Sequence, residues 1–516
     1  MGKKRTPSFI LQLPLQTTPK DEKILSVRFR AAKQVYNACL GEILKRLRLM
    51  RQSKDYQRAR KLKKSKARTT LFKELRDEFG FSDYALQTFA TQFRRSWLGE
   101  HLDSNTIQKL ATRAFQAAKE YAFAQRGCPR FKGKRGLQSV EGKNNTSGIR
   151  FSEGSLHWKG LSLSVKLKDK GIIQEYGLMH RVKYCRIVRK TIRGQQRWFV
   201  QLLLEGTPWV KPKNKPGKQT VGLDVGPSTI AIVDDEQARL VRFCGELKDL
   251  SQRIRRLQRA MDRSRRANNP DNYRPDGTAI KGKKTWNNSN RYEKLRLKKA
   301  ELERRLAAHR KSLHGELANE VLRRGCVIRS EKVSYKAWQK MFGRSIGKRA
   351  PAMFMAILRR KAESAGGGIK DISTYKTALS QSCFCGAPRK KKKLSERIHR
   401  CDCGVVAQRD LFSAYLARHV SNNKLDVGKA LASWNQGAEA LLQAASKQTQ
   451  IAKRKDFASS HQSSFEKVGQ SDSLEKKEMV GGKSQNVVAL GPGSEQRESG
   501  KATDTTRRWS QLDFPF

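Results

Sequence analysis

Apolar positions along this chain change period several times, and each change marks an element. Residues 6–16, which hold FILQLPL, read as a short strand and are closed by Thr17, Thr18 and Pro19. From Lys20 the period lengthens. Ile24, Val27, Ala31, Val35 and Ala38 recur three or four apart behind an acidic first turn, Asp21 and Glu22, and predict a helix. Helices are also predicted over 56–79 and 105–124. Residues 127–150 are rich in Gly, Lys, Arg and Asn, and 155–206 return to strand texture in LSLSVKL, RVKYCRIVRK and RWFVQLLLE. The cationic linker KPKNKPGK, 211–218, is the clearest domain boundary.

Beyond it, TVGLDVG and TIAIVDD predict a hairpin of buried strands. A basic helix follows, with Leu247, Leu250, Ile254, Leu257 and Met261 on one seam. Arg253, Arg255, Arg256, Arg259, Arg263, Arg265 and Arg266 lie on its other faces. After a polar loop over 267–291, a second helix carries Leu302, Leu306, Leu313, Leu317 and Val321 and stops at Gly325. The strand CVIRSEKVS comes next, then a helix after Pro351, a break at Gly366–Gly368, and the helix DLFSAYLARHV. The amphipathic patch ALASWNQGAEALLQAA precedes a tail rich in Ser, Gln, Gly and Lys. Residues 450–516 hold too little apolar content to fold alone and are predicted disordered.

Charge narrows the function. The 516 residues include 109 Lys and Arg against 47 Asp and Glu, a formal net charge of +62 spread along most of the chain. A compact protein so charged repels itself unless a polyanion neutralises it. No apolar run approaches the roughly 18 residues a spanning helix needs, and no signal peptide is evident, which excludes membrane partners and leaves nucleic acid. The opening MGKKRT fits a myristoylation pattern and is read as a chance match. Of nine cysteines, Cys39, Cys128, Cys185, Cys244 and Cys326 are scattered without pair spacing, as expected in a reducing cytosol.

The other four form the densest motif of the chain. Cys383 and Cys385 face Cys401 and Cys403 across a loop holding Arg389, Lys390, Lys391, Lys392 and Lys393, and a glycine follows each pair. Four thiolates in this span predict a structural Zn²⁺ site, with His399 close enough to substitute for one of them. The basic run reads as a phosphate clamp or as a solvated charge run. Three carboxylates are candidates for a second metal centre. Asp224 shares a strand face with Gly222 and Gly226, whose missing side chains leave room beside it. Its alternative is a plain strand-end Asp before a turn. Glu331 ends a strand where a core would want an apolar residue, unless it simply pairs with Arg329 or Lys332. Asp410 opens its helix beside Ser413, Ala414 and Ala417, either as a cap or as a ligand with close neighbours. If they converge, hard oxygen donors of this kind hold two Mg²⁺ ions about 4 Å apart for phosphodiester hydrolysis. Histidine and serine offer no nucleophile arrangement. Tyr36, Trp97, Trp158 and Trp286 are either base-stacking platforms or core residues.

The order GLDVG, basic helical insertion, RSEK, LSQSCFCG, CDCG and QRDLFSAYLA, preceded by FRAAKQVYNACLG and PRFKGK, resembles the TnpB family encoded by insertion sequences, and the related type V CRISPR effectors, over about residues 8–420. The resemblance implies an α+β multidomain protein. Its parts would be a wedge β-barrel (1–19 and 127–215) interrupted by a helical recognition lobe (20–126), and a RuvC-like nuclease domain of RNase H fold (219–420) with an inserted zinc ribbon (379–407). Residues 421–516 would be a largely disordered extension. It further implies catalytic acids Asp224, Glu331 and Asp410, zinc ligands Cys383, Cys385, Cys401 and Cys403, and two Mg²⁺ ions. Guide RNA and target DNA would be the partners, in a prokaryotic cytoplasm. Nucleic acid would be gripped by Arg253, Arg255, Arg256, Arg259, Arg263, Lys390, Lys391 and Lys392. The function so implied is RNA-guided DNA cleavage next to a short flanking motif, the runner-up being an inactive RNA-guided repressor; the oligomeric state stays open, with a monomer on RNA favoured. Where many members read D-R-D-x-N-A-A, this chain has QRDLFSA, so Gln408 and Phe412 stand at acidic and Asn positions while Asp410 is kept.

Overall fold

A computed structural model describes residues 6–133, 136–168, 171–282, 284–389, 391–393 and 395–447. The expected disorder of 450–516 and the start of the MGKKRT pattern lie outside these residues. Residues up to Leu442 form one compact unit of mixed α and β structure, and a second unit begins at Gln443. No helix among the described residues is long and apolar enough to cross a membrane.

The N-terminal half holds two antiparallel sheets. In the first, the strand order is Ser8–Pro14, Gln195–Glu205, Val182–Ile192, Ser139–Glu141. The second is a meander of Arg150–Ser152, Ser155–Trp158 and Leu161–Ser164. Main-chain bonds from Gln16 N–H to Ser164 and from Lys166 N–H to Pro14 sew them together around the Leu15–Val165 bridge. Among the described residues no ladder closes the pair into the expected barrel. The helix Pro19–Gln52 begins at a capping box, in which the Thr18 hydroxyl takes the Asp21 N–H and the Asp21 carboxylate takes the Thr18 N–H. The helix expected over 56–79 is two, Lys54–Lys61 and Lys66–Glu78, because Ser65 caps a new start at Arg68 N–H. Tyr36 and Trp158 are buried here, while Trp97 is 49% exposed. The first two are core residues rather than stacking platforms.

The C-terminal half is built on a five-stranded mixed sheet, ordered Ala238–Arg242, Thr229–Val233, Thr220–Val225, Val327–Glu331, Gly368–Ile372. The first three strands are antiparallel neighbours, and the last two run parallel to Thr220–Val225. Val221, Leu223 and Val225 face a core shared with Leu317, Val321, Phe354 and Leu358 from the helices Asn290–Arg324 and Pro351–Ser364. Each such buried side chain contributes roughly 1.5–3 kcal/mol. Gly222 and Asp224 occupy the other face, which the helix Arg409–Arg418 covers. The N-terminal part of Asn290–Arg324 carries the basic helix Ser251–Ala267 alongside it.

The room beside Asp224 is not open in the way its flanking glycines suggest. A Cβ on Gly222 would lie 1.9 Å from the Ala414 carbonyl oxygen, so this glycine exists to let the helix lie against the strand. The small residues Ser413, Ala414 and Ala417 are buried for the same reason. Gly222→Ala is therefore expected to cost about 1–3 kcal/mol as an overpacked contact. It should lower the melting temperature by several degrees and displace Asp410; a variant that melts like the parent would contradict this packing.

Candidate metal and nucleic-acid site

Asp224 sits in the middle strand of the sheet, paired with Ala231 on one side and one residue beyond the Leu223–Ser330 pair on the other. Glu331 ends the adjacent parallel strand. Asp410 lies in the first turn of the helix that crosses over both. Two strand ends and one helix start thus bring together carboxylates from positions 224, 331 and 410. Burial, followed by the charges of Asp410 and Glu331, pushes the Asp224 carboxyl well above the ordinary carboxylate range, and the Arg409 guanidinium opposes the shift. Such mutual repulsion is what a bound divalent cation relieves.

Each carboxylate is held by a different device. Glu331 accepts at Oε1 from the Thr377 hydroxyl at 3.2 Å and from the Leu379 N–H at 3.1 Å. Burial raises its pKa, and these two bonds moderate the rise. The chain reaches both donors by passing through Ala378 at φ +43°, a left-handed residue between them. Arg329, a possible partner for Glu331 in the sequence, instead donates to the Arg418 carbonyl. Asp410 is not the helix cap. That role falls to Gln408, whose side-chain oxygen takes the Leu411 N–H at 2.7 Å. The departure from an acidic residue at 408 thus keeps a capping acceptor, and Asp410 is left for Arg409 at 3.4 Å and Arg397 at 3.7 Å.

Arg409 had no signal in periodicity or charge pattern, yet it joins the two centres. Its guanidinium is mostly buried, contacts Asp410, and donates to the carbonyls of Lys393 at 3.1 Å and Glu396 at 2.9 Å in the basic loop.

Cys383, Cys385, Cys401 and Cys403 place all four sulfurs within 4.8 Å of one another. Among the described residues this is the one such group; the three carboxylates stand wider apart as a set. Cys383 to Cys403 is 3.7 Å and Cys385 to Cys401 is 3.5 Å. A tetrahedron with Zn–S bonds of roughly 2.3 Å has edges of about 3.8 Å, so the thiolates fit a structural zinc despite the one-residue spacing within each pair. Gly386 and Gly404, at φ +80° and +87°, make the knuckle turns as the sequence suggests. His399 is outside the cluster. It is buried against the Phe412 ring at 4.4 Å, its pKa lowered to about 4 by burial and then by Lys392.

The cationic residues divide. Arg253, Arg255, Arg256, Arg259 and Arg263 are all exposed, on a helix with no buried residue. Lys391 is exposed, whereas Lys392 turns inward to the Ser380 carbonyl and His399 Nδ1. Lys390 lies outside the described residues. Trp286 is already covered by the Arg265 guanidinium, 4.1 Å from its ring centre. The amphipathic patch after Ser421 is no free extension. Trp434 packs on Phe384, Phe412 and Tyr415, so residues up to 442 cover the helix that carries Asp410.

No protein-family profile matches the chain, and no curated protein matches it. Solved structures similar to it include two cryo-EM complexes. One is a cryo-EM structure of a Cas12f1–sgRNA–target DNA complex, at 11% identity and TM-score 0.37, covering 79% of this chain and 98% of that one. The other is a cryo-EM structure of a CRISPR–Cas12f ternary complex, at 13% identity and TM-score 0.25, covering 81% and 99%. Likeness at this level carries no site.

Proposed function

We propose that this chain is an RNA-guided DNA endonuclease whose cutting centre is Asp224, Glu331 and Asp410. The observation that carries the reading is geometric: Asp224 and Glu331 stand on adjacent parallel strands and Asp410 in the first turn of the helix laid across both, so three acids distant in sequence converge. An all-oxygen set of hard donors suits Mg²⁺, and two bound ions would supply Lewis-acid stabilisation of the attacking water and the leaving 3′ oxygen. Asp224 and Asp410 approach from strand and helix, while the Thr377 hydroxyl and the Leu379 N–H fix the Glu331 carboxylate at Oε1. The strand order, with three antiparallel strands followed by two parallel ones, supports a RuvC-like domain of RNase H fold. The thiolate cluster is its zinc ribbon, bounded by 379–407, and 20–126 is the recognition lobe. Guide RNA and target DNA account for the net charge of +62, the heteroduplex being held by its backbone and lying along the exposed arginines of Ser251–Ala267.

The test is purification of the full chain with its co-bound RNA, sequencing of that RNA, and assay of Mg²⁺-dependent cutting on matching DNA. A defined RNA with cutting confined to DNA complementary to it is expected. Random RNA, or cutting that ignores the match, would reject the guide; a defined RNA with matched binding but no cutting would leave a repressor.

A further inference from the structure

We infer that Tyr375 is a stacking platform for an unpaired base of the DNA strand at the cutting centre, an inference that rests on the proposed nuclease reading. Tyr375 is 92% exposed, more than any other large apolar or aromatic side chain among the described residues. Single exposed aromatics are common enough to mean nothing by themselves; this one stands out by where and how firmly it is seated.

Its one-turn helix, Thr374–Thr377, follows directly on the edge strand Gly368–Ile372. Two residues after Tyr375, Thr377 donates its hydroxyl to Glu331, so the ring is mounted within a few ångströms of backbone from a carboxylate of the centre. The mount is tied at three points. The Ser373 N–H donates to the Asn423 side chain at 2.7 Å, the Arg389 guanidinium donates to the Lys376 carbonyl, and Thr377 is buried. A flexible loop would let an unused tyrosine fold back onto the surface. Here the backbone is fixed, yet the ring makes no ring or cation contact among the described residues.

The surroundings suit a polyanion. Lys376, Arg389, Lys391 and Lys393 are all exposed, and Arg389 brings the basic loop of the thiolate module to the base of the tyrosine helix. A phosphate chain running between these cations and the carboxylates would pass its bases over the ring. A phenol face accepts any base, so the site would favour single strands without choosing sequence. A paired base has no free face to offer, which makes the platform a means of admitting strands already opened by the guide.

The experiment uses the full chain purified with its RNA, without Mg²⁺, titrated with single-stranded DNA that runs past its guide-complementary stretch and carries 2-aminopurine at successive positions of that unpaired overhang. One stretch of positions is expected to be quenched on binding. Tyr375→Ala should lose that quench and weaken capture of the strand roughly tenfold to a hundredfold, the worth of one base–aromatic stack. Tyr375→Trp should keep both. Quench and affinity unchanged in Tyr375→Ala would overturn the inference, as would a loss in Tyr375→Trp equal to that in Tyr375→Ala. Because binding is read without metal, a wild-type chain that quenches through Tyr375 but never cuts would reject the nuclease reading and keep the platform.

Discussion

Replacing Asp224 with Asn is expected to raise the melting temperature of the metal-free protein while abolishing cleavage. The two effects share one cause. Burial and the neighbouring charges of Asp410 and Glu331 disfavour the ionised form of Asp224, so its folded pKa lies above its unfolded one. A carboxyl shifted in that direction binds its proton more tightly in the native state. Native stability is therefore lost as pH rises from the unfolded value through the folded one, and at neutral pH the ionised group works against the fold. The amide introduced by Asp224→Asn is neutral at every pH and removes that repulsion at nearly constant volume. Mg²⁺ should stabilise the parent by binding its native state and should do so far less in the variant. Cleavage should fall by at least on the order of 10³-fold, about 4 kcal/mol of transition-state stabilisation. In the parent the cutting rate should climb with pH as Asp224 loses its proton, and more Mg²⁺ should move that climb to lower pH. Thermal melts with and without Mg²⁺, set beside the cleavage rate, decide the matter. A variant that melts lower than the parent without metal, or that still cuts, would show that the three acids do not form one centre.

Elements with a strong period were legible in the sequence. The buried hairpin around Asp224, the helix ending at Gly325 and the helix that opens at Arg409 all lie where their apolar spacing puts them. The edge strand Gly368–Ile372 was not, because Lys370 and Asp371 are exposed and three glycines mask its start. The helix Tyr335–Arg349 was missed too, having no buried residue to set a period and a kink at Phe342. Within the candidate site, the three acids could be proposed from the sequence, whereas their surroundings could not. Gly222 looked like space for a ligand and proves to be space for Ala414. His399 looked like a metal ligand by its distance in sequence, but the strand Ile398–Arg400 turns it toward Phe412. Lys392 belongs to a charge run whose members share no common direction once the loop folds. Arg409 is the clearest case: its worth lies in bonds to two carbonyls far along the chain, and carbonyls leave no trace in sequence.

That arginine sets the expectation for zinc. The thiolate module is spliced between the two segments that hold Glu331 and Asp410. Its entry carries Thr377 and Leu379, the donors to Glu331, and its exit carries Arg409 and Asp410. Removing zinc with a chelator selective for it over magnesium should free four thiols and let the basic loop move off Arg409, whose bonds to Lys393 and Glu396 are then lost. Loss of supporting contacts around a metal-binding centre typically costs about 10–100-fold in metal affinity or activity. Cutting is therefore expected to fall by that factor at limiting Mg²⁺ and to recover in part at high Mg²⁺, with RNA still bound. Arg409→Ala should reproduce the shift in Mg²⁺ requirement while zinc stays at one ion per chain, which separates the link from the integrity of the module. Arg409→Lys should rescue little, because a single ammonium does not span two carbonyls and a carboxylate in the plane that a guanidinium does. If chelation releases zinc and neither the melting curve nor the Mg²⁺ dependence of cutting moves, the module and the carboxylates are independent, and the bonds through Arg409 carry no function.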